Sequence, residues 1–237
     1  STFPTNERGI FTGASIRPTS KWEFDAYVDI YRFPFIRYRI DAPSNGVDYL
    51  VQLAHHPNKQ IEIYTRYRQE SKALNFTADG EFNTANVTPV SRKNWRTQVQ
   101  VKINPLVTLR YRVDAMWYDL NGPLESRGFL SFFDFFYKPL KIPYAVNCRV
   151  QYFETDNYDS RIYAYENDVL YGFSIPSFEN KGYKYYMNIN YDISRRVSIW
   201  IKWTQLIYKN QNTIGSGLDE IHGKKRSELK IQVLWKF

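Results

Sequence analysis

Apolar residues recur at every second position along most of this chain. From Trp22 the set is Trp22, Phe24, Ala26, Val28 and Ile30, with Glu23, Asp25, Tyr27 and Asp29 between them. The same alternation returns at Tyr49–Leu53, Ile61–Tyr67, Trp95–Ile103 and Val107–Trp117. A period of two predicts β-strands with one apolar and one polar face. In the last nine residues Leu229, Ile231, Val233, Trp235 and Phe237 fall on one face, and Lys230, Gln232 and Lys236 on the other. The neighbouring run puts Val197, Ile199, Ile201 and Trp203 on an apolar face and Lys202 on the opposite one.

The connections sort by length. Short ones, rich in Pro, Asn or Ser, occur at Arg17–Ser20, His56–Lys59, Asn104–Pro105, Lys138–Pro143 and Ile193–Arg196. Longer polar ones lie between them, at about Phe33–Gly46, Lys72–Lys93, Asp119–Ser126, Glu154–Ser160 and Asn210–Lys225. Outer-membrane β-barrels alternate in this way, with short periplasmic turns and long external loops. A soluble β-sandwich is the competing reading, but its turns have no reason to sort by length. To keep the long loops on one side, Tyr158–Ser177 is read as two strands joined by a tight turn at Glu166-Asn167-Asp168. The fold expected is all-β, a transmembrane antiparallel up-and-down barrel of about 12–14 strands forming one domain over residues 1–237. The count reaches thirteen spans. Single-chain bacterial barrels use even numbers, and the opening residues carry no export signal, so the expectation is that this is the C-terminal part of a longer protein.

A mean hydropathy of −0.54 does not oppose a membrane setting, since only alternate residues of a barrel strand meet lipid. The 20 Tyr, 16 Phe and 6 Trp, 18% of the chain, suit aromatic girdles at the two membrane–water interfaces. One cysteine, Cys148, excludes an internal disulfide framework and reads as a small apolar strand residue. A net charge of +8 is compatible with nucleic acid, anionic headgroups or an anion-lined pore, and does not choose among them.

The terminal strand ending on Phe237 resembles the assembly signal of Gram-negative outer-membrane barrels, carried here by Leu229, Ile231, Val233, Trp235 and Phe237. That resemblance implies an outer-membrane location with a periplasmic C-terminus. It also implies contact with membrane lipid, lipopolysaccharide and the barrel assembly machinery, with other outer-membrane proteins as further partners. The runs Tyr165-Glu-Asn-Asp-Val-Leu-Tyr-Gly-Phe-Ser-Ile-Pro176 and Thr213-Ile-Gly-Ser-Gly-Leu-Asp-Glu-Ile221, with that strand, resemble the C-terminal barrel of Bacteroidota-type helix-hairpin-helix domain-containing outer-membrane proteins. The resemblance extends from Glu7-Arg-Gly-Ile-Phe-Thr-Gly13 through Tyr38-Arg-Ile-Asp-Ala-Pro43 to the end. In that family the competence-like helix-hairpin-helix modules lie upstream of the barrel. DNA is thus a partner by family analogy only, and no residue here inherits it.

Arg66, Arg68, Arg96, Lys102, Arg110 and Arg112 fall on the non-lipid faces of three consecutive spans and should form one basic wall inside the barrel, with Glu62, Glu70 and Asp114 interleaved. Two readings stay open. The wall attracts anions in an open lumen, or it is a charge ladder that fills and stiffens a closed one. No catalytic, cofactor or metal site is expected. His55 and His56 face opposite sides of one strand near a short turn, and His222 lies in an external loop, so they share no hydrogen-bonding reach. Asp219, Glu220 and His222 read as a solvated loop, and Gly215-Ser-Gly217 is too short for a phosphate loop. The function expected is a membrane anchor or scaffold for an upstream domain or an outer-membrane complex; the alternative is a pore or conduit for anionic solutes or DNA.

Overall fold

The structure, a computed structural model, describes residues 6–38, 40–76 and 86–237. Fifteen strands form among the described residues. They are β1 Arg8–Thr19, β2 Trp22–Phe33, β3 Ser44–Asn58, β4 Ile61–Phe76, β5 Asn86–Lys102, β6 Val107–Tyr118, β7 Ser126–Tyr137, β8 Tyr144–Thr155, β9 Ile162–Tyr163, β10 Ser177–Phe178, β11 Lys181–Asp192, β12 Val197–Tyr208, β13 Thr213–Ile214, β14 Ile221–His222 and β15 Lys225–Trp235. Eleven of them make one sheet in the order β1-β2-β3-β4-β5-β6-β7-β8-β11-β12-β15, and the pairs β9–β10 and β13–β14 stand apart from it. Every pairing in the large sheet is antiparallel between strands consecutive in the order. The architecture is therefore the all-β up-and-down meander that the alternation predicted. No helix among the described residues is long and apolar enough to cross a membrane, which says nothing of strands.

The span count is a correction. Eleven strands cross the sheet instead of the twelve to fourteen expected, because Tyr158–Ser177 does not supply two spans. The strands of this sheet are 11 to 17 residues long, and the 20 residues of that stretch are too few for two of them plus a turn. It folds instead as a loop bearing the small β9–β10 hairpin. A pair of spans has been exchanged for one loop, so the sorting of the connections survives. Loops after β2, β6, β8 and β12 gather at one end of the sheet, and the short turns gather at the other. A second correction concerns the predicted loop at Lys72–Lys93. Its flanks continue β4 and β5 in register out to Phe76 and Asn86, and residues 77–85 lie outside the described part.

Register fixes the two faces. Val197, Ile199, Ile201 and Trp203 pair with Trp235, Val233, Ile231 and Leu229, while Lys202 pairs with Lys230 and Trp200 with Gln232. On β7 the burial alternates residue by residue, with Leu130, Phe132 and Asp134 buried and Phe129, Phe133 and Phe135 exposed. The outer face is thus apolar and solvent-accessible, an inversion of the soluble pattern. Outward aromatic rings gather in two bands. Near the short turns are Tyr137 against Tyr144 and Trp235 stacked on Phe237; toward the long loops are Phe129, Tyr152 and Tyr183, and Tyr185 against Trp203. Along β8, Tyr144 and Tyr152 are roughly 26 Å apart at about 3.3 Å per residue. A tilt of about 40° reduces that to about 20 Å of height, near the apolar band of a barrel.

Candidate functional site

The inner face carries the charges, and the loop between β8 and β11 lies across it. Asn157 starts this loop by capping a short 3₁₀ turn, its side chain accepting from the Asp159 N–H. Ser126 donates to Asn157 Oδ1 at 2.7 Å and lies 2.7 Å from the Ser160 hydroxyl, which pins the turn to β7. Gly128 is required there, because a Cβ would sit 2.4 Å from the Ser160 carbonyl oxygen. β9 and β10 pair through Ile162–Phe178 and Tyr163–Ser177, Glu166 bridges to Ser174, and the chain reverses at Val169–Gly172. The tight turn therefore comes after the expected Glu166-Asn167-Asp168.

From Arg161 to Asp168 the loop crosses the sheet in strand order, as a strap. Arg92 of β5 donates to the Arg161 carbonyl at 2.9 Å, Arg112 of β6 to Tyr163 at 3.3 Å, and Arg149 of β8 to Tyr165 at 2.7 Å. Glu166 meets Lys184 of β11 at 2.7 Å and Lys202 of β12 at 3.6 Å. Asp168 meets Lys202 at 3.4 Å and Lys230 of β15 at 2.9 Å. Apolar packing adds to this: Ile162, Ala164 and Phe178 of the strap form one buried cluster with Met116, Leu130, Phe132 and Phe153 of the wall. Burying Ile162 and Phe178 contributes about 1.5–3 kcal/mol each.

Burial pushes the Asp168 carboxyl up, but the Lys230 hydrogen bond, the Val169 N–H and the Lys202 and Lys230 charges outweigh it and hold it below the usual aspartate range. The acid is thereby kept in the form that grips two lysines. The strap divides the concave face. Toward the short turns lies a cavity of ≈ 760 Å³ bounded by Lys102, Arg110, Asn147, Asn188, Trp200 and Asp168, among others. Toward the long loops lies a cavity of ≈ 200 Å³ between β4–β6 and the strap.

The structure brings most of the predicted basic wall together. Arg66 and Arg96 are direct cross-strand partners, and Arg96 lies opposite Asp114. Asp114 is shared by Arg96 and Arg112 at 2.6 Å each, and Arg110 lies 3.6 Å from Asp134. Arg68 binds Asp48, an acid that the sequence reading did not single out. Lys102 stands apart near the short turns, and Glu62 makes no ion pair among the described residues. The most deeply buried pair, Arg149 with Asp134 at 2.6 and 2.8 Å, was not foreseen for its arginine. Its signal was present: Arg149 alternates with Cys148 and Val150 on a strand whose neighbour carries Asp134 within an otherwise aromatic run. The Arg149 guanidinium also sits 3.6 Å from the Phe132 ring centre, a cation–π contact made stronger by burial.

Leu229, Ile231, Val233 and Trp235 lie exposed on the outer face, with Phe237 stacked on Trp235. His55 stacks on Trp22 and His222 lies 3.5 Å from Glu220. Among the described residues, no three His, Cys, Asp or Glu side chains are grouped to hold a metal ion.

No protein-family model matches the chain, and no curated protein does. Among solved structures, one similar chain is titled "Copper transporter OprC", with a TM-score of 0.48 and 8% identity over 96% of this chain and 42% of that one. The chain thus spans less than half the length of that structure, and copper handling is said of that protein alone.

Proposed function

We propose that the chain is an integral outer-membrane β-barrel with a periplasmic C-terminus, its lumen closed by its own strap, serving as an anchor or scaffold for other domains or partners. Three features support the membrane setting: the accessible apolar outer face, the two aromatic bands, and the sorting of short turns from long loops. β1 and β15 run parallel to each other and are not paired among the described residues. In lipid each unpaired backbone group costs several kcal/mol, so both edges are closed there by strand pairing, with each other or with further strands. Lipid, lipopolysaccharide and the assembly machinery that reads a terminal strand are the partners this reading requires. The helix-hairpin-helix family resemblance fits it, with any DNA handled by modules other than this one.

The observation that carries the anchor reading is the strap. A loop tied to seven strands, with two buried acids held by Lys184, the buried Lys202 and Lys230, is built to stay. The reading assigns no catalysis. The pore alternative predicts a steady anion-selective current through the purified protein in a planar bilayer, and the anchor reading predicts none. The membrane register has its own test. Ile231→Arg puts a charge on the outer face at mid-height and should cost about 2–4 kcal/mol in bilayer folding, whereas Gln232→Arg, one residue along on the inner face, should cost far less. Equal tolerance of the two would overturn the membrane assignment of the faces.

A further inference from the structure

On the long-loop side of the strap, Arg66, Arg68, Arg92 and Arg96 converge on the ≈ 200 Å³ cavity, and among the described residues Glu70 is the one carboxylate that borders it. Nearby acids are already engaged. Asp48 takes two hydrogen bonds from Arg68, Asp114 is divided between Arg96 and Arg112, and Glu70 lies 2.5 Å from Lys72 and 3.8 Å from Arg68. Arg66 and Arg92 have no carboxylate partner among the described residues. Arg92 spends one N–H on the Arg161 carbonyl, and the buried Arg66 Nε has no partner at all.

Arg66 also faces Arg96 directly across the β4–β5 pairing. Like charges at that position oppose each other, and a buried donor without an acceptor costs about 1–3 kcal/mol. A chain meant only to fill its lumen would place an acid or an apolar residue there. We propose that Arg66, Arg92 and Arg96, with Arg68, form a binding site for a soluble, multiply charged oxyanion, of which a phosphate group is the archetype. Guanidinium groups match the tetrahedral and planar oxygens of such anions with paired N–H donors. The cavity volume admits one such group together with water. It opens on the concave side, away from the lipid-facing bands, so the ligand is a soluble anion and not a membrane headgroup. The strap borders this cavity through Ile162 and Tyr163, so an occupant would touch both the wall and the loop that closes the lumen.

The test is calorimetric titration of the folded full chain in detergent with inorganic phosphate and with pyrophosphate at constant ionic strength. Saturable binding is expected, tighter for pyrophosphate, and weakened about tenfold or more by Arg66→Gln and by Arg92→Gln, each of which removes charge-assisted donors. Lys102→Gln makes the same charge change beyond the strap and should leave affinity within about twofold. Without ligand, Arg66→Gln should melt no lower than the parent, because it relieves the Arg66–Arg96 opposition. Absence of saturable binding of either anion would overturn the site. So would equal weakening by Arg66→Gln and Lys102→Gln, which would mark a diffuse field. A fall in the unliganded melting temperature of Arg66→Gln would show the arginine to be structural.

Discussion

The half of the sheet from β6 to β15 and the half from β1 to β4 use the same alternation to different ends. In the first, inner side chains such as Asp114, Asp134, Arg149, Gln151 and Lys202 are buried under the strap. In the second, β1 is exposed along its whole length and Asp25 of β2 accepts from Gln52 at 3.3 Å, while burial is concentrated at the long-loop end, where Tyr31 and Phe33 are covered and Arg37 lies over the Phe33 ring. The same polar-in pattern is therefore a deeply buried charge lattice under the strap and, away from the long-loop end of β1–β4, a wall of half-exposed polar side chains. What decides is the loop and its two acids, not the strands.

Removing one partner from each half should expose the difference. Arg149→Ala leaves the buried Asp134 with only the longer contact to Arg110 at 3.6 Å and should cost up to about 3–5 kcal/mol. Arg68→Ala breaks a pair whose arginine is 45% exposed and should cost about 1 kcal/mol or less. Denaturant unfolding of both variants in lipid vesicles checks the pair, and equal losses would erase the contrast between the halves.

A smaller effect follows from Asp168. Its carboxyl titrates below the usual aspartate range, so its contribution is full above the unfolded value of about 3.9 and is lost as the pH falls through the depressed folded value. Acidification below about pH 4 should loosen the strap tip while the strand pairings persist. Hydrogen exchange at Val169 and Asn167 should rise before exchange in β12 and β15. Simultaneous loss in the strap and the sheet would mean that the tip is not held by this carboxylate.

Much of this was legible in the sequence. The strands, their faces and the sorting of the turns follow from a period of two and from turn residues, which are local. Leu229, Ile231 and Val233 stand on the predicted face because a one-residue slip would have turned every apolar side chain inward. The strap was misread because keeping the long loops on one side requires an even number of spans in Tyr158–Ser177, a condition that zero spans meets as well as two, and Glu166-Asn167-Asp168 has turn chemistry. What settles its conformation is long-range, namely lysines from β11, β12 and β15 meeting Glu166 and Asp168. Its shortness was the overlooked sign. The basic wall was visible as a set of residues, but which arginines would find acids depended on Asp48 and on strap carbonyls that no spacing rule connects to them.

The central claim is that the strap closes the lumen, and single-channel recording in planar bilayers tests it most directly. The parent chain should insert without a steady open current. A variant in which residues 157–179 are replaced by a short Asn-Gly turn should conduct steadily, and Glu166→Gln with Asp168→Asn should show intermittent openings. A steady current through the parent chain equal to that of the strap-deleted variant would contradict the account.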